Sequence, residues 1–294
     1  ANHVMVAIAL ANLAHACGNN GEYFEQKTLA LRSLCIKEEK FSPCHIGVLA
    51  PLGSLANASN ELGQAVEARE FADRSVKIIE ESFGKDHSML VGALCLLANA
   101  HGSLGDNRLK QELLERASEI GTRAFGASHI DVALCRRALG AARCESGDFS
   151  AGLTMLEQAL QVQECILGNE HIEVARTLRN LAIASIAVGR NSKATELLFR
   201  AIRIFEDAFG GCHLQVAKTL QHLASCASND DQKACYLQRA YDIFSTDVGM
   251  NHSWTVDTLT ALHQVRPKKL HSECTRTRAV QAFRIDCVCV SQIE

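Results

Sequence analysis

Seven histidines recur along the chain at a nearly constant interval, and imidazole nitrogens are common metal ligands and general acids or bases. Neighbouring members of the series are 42 residues apart, except for a last interval of 39: His3, His45, His87, His129, His171, His213 and His252. Zinc ligands must all lie about 2 Å from one ion, whereas equivalent residues of stacked helix pairs are about 8–10 Å apart or more. The spacing therefore predicts a structural ladder, in which each histidine caps a helix or bonds a linker carbonyl, and no metal site.

Other patterns that would carry chemistry are absent from the sequence. It contains no HExxH, no GxSxG and no Walker phosphate loop. Gly84-Lys85 lacks the preceding glycine spacing of a phosphate loop, and Cys287 and Cys289 are too close together for the usual two-thiol zinc site. We therefore expect no catalytic residue, no cofactor and no enzymatic activity.

Composition and charge argue against several classes of protein. The net charge of −3 gives no electrostatic case for binding nucleic acid or an anionic membrane surface, and no run of 18 apolar residues could span a membrane. The N-terminal segment Ala1-Asn2-His3 lacks the basic and apolar regions of a signal peptide. The 13 cysteines form no CxxC pairs, and most lie in helical stretches, which is typical of reduced thiols. We therefore expect the chain in the cytoplasm.

The 42-residue interval extends to other residue types, so the chain contains an internal repeat. Ten residues after each histidine is a leucine: Leu13, Leu55, Leu97, Leu139, Leu181, Leu223 and Leu262. The next residue is small in the first six units: Ala14, Ala56, Ala98, Gly140, Ala182 and Ala224. Eighteen residues after the histidine is a glycine in the first five units: Gly21, Gly63, Gly105, Gly147 and Gly189. Another glycine lies three residues before the histidine from the third unit on: Gly84, Gly126, Gly168, Gly210 and Gly249.

Each unit is predicted to consist of two helices, A and B. In the fifth unit Val174, Leu178, Leu181 and Ala182 are spaced as one buried face of helix A. The following glycine supplies a turn, most simply in the left-handed conformation, and helix B follows over residues 193–209. With only three prolines, the composition favours helix throughout. Stacking of such pairs buries one continuous core.

These columns resemble the tetratricopeptide repeat, in the 42-residue form found in kinesin light chains and nephrocystin-like proteins. The inter-unit segment 83–87 (Phe-Gly-Lys-Asp-His) carries the resemblance, as do residues 177–182 and 216–224 of helix A. HEAT and armadillo repeats have a similar period, but they lack this register of leucine, glycine and small residues. The resemblance implies an all-α fold, an α-solenoid in which antiparallel helix pairs stack into a right-handed superhelix.

We expect the tetratricopeptide repeat array to span residues 1–267, with six full units and a final half unit that has helix A only. In the second unit Gly47, Pro51 and Gly53 should shorten or kink helix A. Residues 268–294 do not match the repeat. They are expected to form either a capping helix or a disordered tail.

The resemblance also implies that helix A of each unit lines a concave groove that holds a partner peptide. The groove positions, counted from each histidine, give these candidate residues: Asn12, His15, Asn57, Asn60, Asn99, Arg137, Arg176, Arg179, Asn180, Lys218, Gln221 and His222. The asparagines of the N-terminal half can bond an extended peptide backbone as donor and acceptor together.

The C-terminal half of the predicted groove is basic. Arg176 and Arg179 share one helix face, and Lys218 and Gln221 occupy the same two columns one unit later, so the four are expected to stand side by side. Arginine grips carboxylates in bidentate fashion, which points to an acidic or carboxylate-bearing peptide. An ordinary solvated charged face is the alternative, since exposed ion pairs contribute only about 0–1 kcal/mol.

The sequence is therefore interpreted as a non-enzymatic scaffold for a partner protein or peptide. A cargo adaptor like kinesin light chain is one alternative, although the coiled coil by which that family docks its motor is not found in this sequence. The targeting arm of a larger enzyme is a second alternative. An architectural spacer, which would bind no ligand in the groove, is a third.

Overall fold

The computed structural model describes residues 3–250 and 252–265, and every regular element within these ranges is a helix. The α-helices are α1 (Val4–Asn19), α2 (Tyr23–Lys40), α3 (Leu49–Glu61), α4 (Ala65–Phe83), α5 (Leu90–Ser103), α6 (Asn107–Phe125), α7 (Ile130–Glu145), α8 (Phe149–Leu167), α9 (Ile172–Ala187), α10 (Asn191–Phe209), α11 (Leu214–Cys226), α12 (Asp230–Asp247) and α13 (Ser253–Val265). The predicted all-α solenoid is confirmed. The predicted tail, 268–294, lies outside the described residues.

The odd-numbered helices are the A helices of successive units, and the even-numbered helices are the B helices. Each helix packs on the next one in the chain. The A helices of neighbouring units also contact each other, whereas their B helices have no comparable contacts within the described part of the chain. The array therefore curves with the A helices on its inner, concave wall.

The histidine ladder lies at or just before the start of each A helix. At all seven positions the ring Nδ1 accepts a hydrogen bond of 3.0–3.3 Å from the backbone N–H two residues further on. Such a bond satisfies one of the N–H groups that a helix leaves unpaired at its beginning. Four of the rings also stack on a phenylalanine four residues earlier, as His129 does on Phe125 at 4.5 Å between ring centroids. The predicted capping role of the ladder is confirmed.

The glycine columns occupy the two turns of each unit. Gly147, between α7 and α8, has a φ of +91°. Gly168, between α8 and α9, has φ +84° and ψ 163°, a combination that residues with a Cβ rarely adopt. The other members of both columns likewise have positive φ. The turn role predicted for the glycines eighteen residues after the histidine is therefore confirmed.

The leucine column forms the core where successive units meet. Six of its members are no more than 6% exposed: Leu55, Leu97, Leu139, Leu181, Leu223 and Leu262. Leu13 is 50% exposed, because α1 is the first helix of the described array and no unit packs on that face. Stacking between neighbouring units therefore buries this column.

The second unit departs from the pattern where its sequence does. A 3-10 helix over Ile46–Val48 replaces the first turn, and α3 has 13 residues where α9 has 16. Pro51 lies in the first turn of α3, where its missing N–H would have had no helical partner. The predicted shortening of this helix is confirmed.

The array curves so far that its sixth unit meets its first and second units. We call this contact the seam, and three polar pairs define it: His213 with Asn20, Gln215 with Tyr23, and Lys218 with Glu61. The distances are 2.8 Å from His213 Nε2 to the Asn20 carbonyl oxygen, 3.2 Å from Gln215 Nε2 to the Tyr23 hydroxyl, and 3.1 Å from Lys218 Nζ to Glu61 Oε2. Because Nδ1 of His213 accepts the capping bond, its Nε2 carries the proton and donates. Tyr23 is 3% exposed and packs in the apolar core of the fifth and sixth units.

Candidate ligand-binding site on the concave wall

The cations of the predicted groove come together in one cluster on the concave wall. This basic cluster consists of Arg137 from α7, Arg176 and Arg179 from α9, and Lys218 from α11. Arg137 Nη2 and Arg176 Nη1 each lie 3.2 Å from a different carboxylate oxygen of Glu173. Arg179 Nη1 donates to Gln215 Oε1 at 2.6 Å. Gln221, expected to continue the stripe, donates to Thr258 of α13 at 2.6 Å.

Glu61 supplies a second carboxylate from across the seam, at the end of α3. Burial by itself would raise the pKa of this carboxyl group, but Lys218 and then Arg176 outweigh burial and hold the pKa below its ordinary value. Lys218 also lies over the Trp254 ring, with Nζ 4.0 Å from the ring centroid. Glu61 therefore acts as a built-in anion in the basic cluster.

The positive charge of the cluster is only partly matched. Four cations share two carboxylates, Glu173 and Glu61, among the groups that act on them. The Nε atoms of Arg137 and Arg176 are buried and have no hydrogen-bond partner. A buried N–H without an acceptor is costly. These two N–H groups are therefore unused donors inside the cluster.

Burial and neighbouring positive charge both act on Arg179. Burial, followed by repulsion from Arg176, lowers the pKa of its guanidinium to about 10. The group lies over the Phe205 ring, 5.6 Å from the centroid, which offers a further attraction to the cation. At neutral pH Arg179 remains charged and adds to the demand for an anion.

The remaining candidates of the C-terminal half lie beside the cluster. Burial, and then Arg179, lowers the pKa of His222 to about 4, so its ring is neutral at pH 7. Asn180 is half-buried. Both can offer neutral hydrogen-bonding groups, and neither adds charge to the basic cluster.

The asparagines of the N-terminal half are partly engaged within the protein. Asn57 Nδ2 donates to Gln26 at 3.3 Å, and Asn60 Nδ2 donates to the Leu96 carbonyl at 3.2 Å. Asn60 Oδ1 is buried without a partner. The amide donors that we expected to serve a peptide backbone are thus occupied in Asn57 and Asn60. The remaining candidates of this half are exposed: Asn12, His15 and Asn99.

A cavity of about 570 Å³ opens at the seam, next to the Lys218–Glu61 pair. It lies between the turn that joins α1 to α2 and the ends of helices from the last units. Tyr23, Phe209 and Trp254 contribute aromatic walls, and Glu61 reaches it from the side of the basic cluster. The cavity gives the cluster an opening at this end.

Comparison with known proteins bears on both the fold and the repeat. Two family models described as tetratricopeptide repeat match residues 49–88 and 139–207. A putative kinesin light chain with nearly identical TPR-like repeats from Podosopora anserina is 25% identical, with a TM-score of 0.52, over 70% of this chain and 97% of that chain. The chain is a tetratricopeptide repeat protein. Its units are of the kinesin light chain type, as the resemblance implied.

Other solved structures share the fold of this tetratricopeptide repeat protein at lower identity. BtubC (BKLC) from P. vanneervenii is 17% identical, with a TM-score of 0.54, over 90% of this chain and 98% of that chain. NprR in complex with its cognate peptide NprX is 14% identical, with a TM-score of 0.67, over 88% of this chain and 73% of that chain. A search of curated proteins finds no match. Among the described residues, no helix is long and apolar enough to cross a membrane.

Several residues of this site were missed by sequence reasoning. Glu173 could have been found, because it lies three residues before Arg176 on the same helix face. Glu61, Tyr23 and Gln215 could not, because they meet the cluster or each other across the seam. A repeat pattern describes contacts between neighbouring units and contains no signal for contacts between the second and sixth.

Proposed function

We propose that this tetratricopeptide repeat protein is a non-catalytic cytoplasmic scaffold that binds an acidic segment of a partner protein on its concave wall. The observation that carries the proposal is the excess of cations over carboxylates in the basic cluster, whose ion pairs use only Glu173 and Glu61. A glutamate or aspartate side chain of a ligand would supply a further carboxylate. Nucleic acid and membrane are not expected partners.

The chemistry of arginine supports a carboxylate ligand. Two N–H groups of one guanidinium can bind the two oxygens of a carboxylate together. Partial burial of Arg137 and Arg176, whose side chains are 21% and 22% exposed, strengthens such a bond relative to one in water.

Two further observations are in keeping with the proposal. A fold of the same kind holds a cognate peptide in NprR. The ten cysteines of the described residues are all free thiols, which suits the reducing cytoplasm.

The test is a binding series with fluorescent peptides of equal length. We expect an Asp/Glu-rich peptide to bind with a dissociation constant at least tenfold lower than its Asn/Gln counterpart, and a Lys-rich peptide not to bind. Added salt should weaken the binding of the acidic peptide, since the attraction is electrostatic. Arg176→Gln should reduce its affinity several-fold.

The matched control is Arg203→Gln, because Arg203 is 62% exposed and pairs with Glu170 away from the cluster. This variant should bind like the native chain, with circular dichroism as the check on folding. Equal binding of acidic and neutral peptides would reject the proposal, and so would equal losses in both variants. Preference for an oligonucleotide over the acidic peptide would point to a different class of partner.

A cargo adaptor like kinesin light chain is the second candidate. It is favoured by the 25% identity to a putative kinesin light chain over 70% of this chain. Co-precipitation with a kinesin motor subunit would test it, and the acidic-peptide proposal does not depend on the result.

A further inference from the structure

Two cysteines of neighbouring units meet on the concave side of the array. Cys95 belongs to α5 in the third unit and Cys135 to α7 in the fourth, 40 residues later. Their Sγ atoms are 2.9 Å apart. A disulfide bond is about 2.05 Å long, so the two sulfurs would approach by about 0.9 Å to form one. The fold thus already holds two reduced thiols close to bonding distance.

The two thiols differ in how they can be reached. Cys95 is half-buried and occupies in its unit the position that Arg137 occupies in the next, eight residues after the ladder histidine. Cys135 is only 1% exposed and packs in an apolar cluster with Leu94 and Ile120. Cys95 is thus the more exposed of the two residues, and we expect a small reagent in the groove to react with Cys95 first.

We propose that Cys95 and Cys135 form a redox modification site, which a low-molecular-weight disulfide such as oxidised glutathione converts into an inter-unit disulfide. The Cys95 thiolate attacks one sulfur of oxidised glutathione, forms a mixed disulfide and releases one glutathione thiolate. The Cys135 thiolate then attacks Cys95 Sγ, forms the Cys95–Cys135 bond and releases the second glutathione. The two protons of the protein thiols end on the two glutathione molecules, which carry away the two electrons.

The surroundings slow the reaction of Cys95 with an oxidant. The hydrogen bond with Cys135, followed by burial, raises the pKa of Cys95 well above its ordinary value. The facing charges of Asp131 and Arg137, both on α7, act in opposite directions on this thiol. Little thiolate is therefore present at neutral pH, and thiolate is the reactive species.

Oxidation would tie the inner helices of the third and fourth units together covalently. In a stacked array the units are held by contacts between neighbours. One covalent link would therefore fix the distance between the A helices of the third and fourth units at that point. The link would lie next to Arg137, at the edge of the basic cluster. The proposal stands on the cysteine geometry and does not depend on the proposed peptide function.

The experiment is peptide mapping of the purified chain after incubation with oxidised glutathione. Trypsin places Cys95 in the fragment 86–108 and Cys135 in the fragment 124–136, each as the only cysteine of its fragment. Without reductant, we expect these two fragments joined with the loss of two hydrogen atoms, and separate again after reduction. The thermal midpoint of the oxidised chain should rise by a few degrees.

Single serine variants test the order of attack. Cys135→Ser should accumulate a glutathione adduct on Cys95, and Cys95→Ser should leave Cys135 unmodified. Cys144→Ser, which removes another half-buried thiol from α7, should form the same joined fragments as the native chain. A stable adduct on Cys95 of the native chain without the joined fragments would overturn the proposal. Modification confined to exposed thiols such as Cys35 and Cys44 would overturn it as well.

Discussion

At the scale of single residues, the concave wall contains groups whose protonation depends on burial. His222 is the clearest case, because burial and Arg179 lower the pKa of its ring to about 4. The ordinary value for an unfolded chain is about 6.5. The unfolded chain therefore binds a proton in a pH range where the folded chain does not.

This difference predicts a loss of stability in mild acid. A base whose pKa is lowered by folding contributes stability above its unfolded pKa, and that contribution declines as pH falls towards the folded value. When the pH is lowered from 7 to 5, preferential protonation of His222 in the unfolded chain should reduce the free energy of unfolding by on the order of 2 kcal/mol. Urea denaturation of the native chain and of His222→Gln at both pH values measures it.

The variant should show a smaller loss of stability between pH 7 and pH 5, whatever its stability at pH 7. Burial also lowers the pKa of His213 and of His252, so part of the pH dependence should remain. His15→Gln, which removes an exposed histidine from α1, is the control and should keep the native dependence. Parallel pH profiles for the native chain and His222→Gln would contradict the prediction.

Glu61→Gln should make the protein less stable and yet a better receptor for acidic peptides. The substitution leaves Lys218, 18% exposed, without its ion-pair partner. Removing one partner of a fully buried pair costs about 3–5 kcal/mol; since Glu61 is 28% exposed, we expect about 1–3 kcal/mol. The loss of a built-in carboxylate raises the net positive charge of the cluster, so acidic peptides should bind several-fold more tightly.

Urea denaturation measures the stability of the variant, and peptide titration measures its affinity for acidic peptides. Glu157→Gln breaks an exposed pair with Lys193 and should change neither by a measurable amount. If Glu61→Gln is as stable as the native chain, or binds acidic peptides more weakly, Glu61 does not occupy the ligand site.

Single residues of the site were predictable to different degrees. The cations could be predicted because each lies at a repeating position of helix A, and the repeat indicates which face of the helix that position occupies. Of their partners, Glu173 could have been predicted from its i,i+3 spacing to Arg176. Glu61 could not, because it reaches the cluster across the seam from a distant unit.

At the scale of helices, the beginning of each A helix depends on a histidine where serine, threonine or aspartate is more common. His171 accepts a bond from the Glu173 N–H at 3.1 Å and has no aromatic neighbour among the ring stacks of the described residues. His171→Ala should cost about 0.5–2 kcal/mol, the usual cost of losing an N-cap. His171→Asn keeps an acceptor and should retain most of the stability.

Thermal or urea denaturation of the two variants compares them directly. His129→Ala should cost more than His171→Ala, because His129 also stacks on Phe125. An equal loss for the alanine and asparagine variants of His171 would mean that packing, and not the hydrogen bond, gives the ladder its role.

Helix positions were the most predictable feature of the fold, since local physics determines them. Glycines with positive φ and capping histidines lie at nearly every helix boundary. Each glycine acts through its own backbone conformation, and each histidine acts on the backbone N–H two residues later. The second unit illustrates the same rule, because Gly47 and Pro51 weaken the start of its helix A in sequence and in structure alike.

At the scale of the whole molecule, the seam is the feature that the repeat could not reveal. Each unit is rotated slightly against the one before, and small rotations accumulate along a solenoid. Whether the sixth unit reaches the first depends on their sum, which no single column encodes. The seam adds contacts between residues 157–193 positions apart to an array otherwise held by neighbours.

Gly21→Ala tests whether the seam holds the array closed. A Cβ at Gly21 would lie 2.2 Å from His213 Nε2, too close for any contact, and φ there is +80°. The His213 ring cannot swing aside freely, because Nδ1 caps α11 and the ring stacks on Phe209 at 4.2 Å. The substitution should therefore push the first unit away from the sixth and increase the radius of gyration measured by small-angle X-ray scattering.

Gly63→Ala separates this effect from backbone strain. Gly63 occupies the same turn in the second unit with φ +74°, and a Cβ there would meet no atom within 4 Å. Both variants should lose about 1 kcal/mol to the unfavourable φ, but only Gly21→Ala should expand the molecule. If the two variants have the same radius as the native chain, the first and sixth units are not held together by the His213 contact. If both expand, the strained turn itself is responsible, and the seam is not what keeps the array closed.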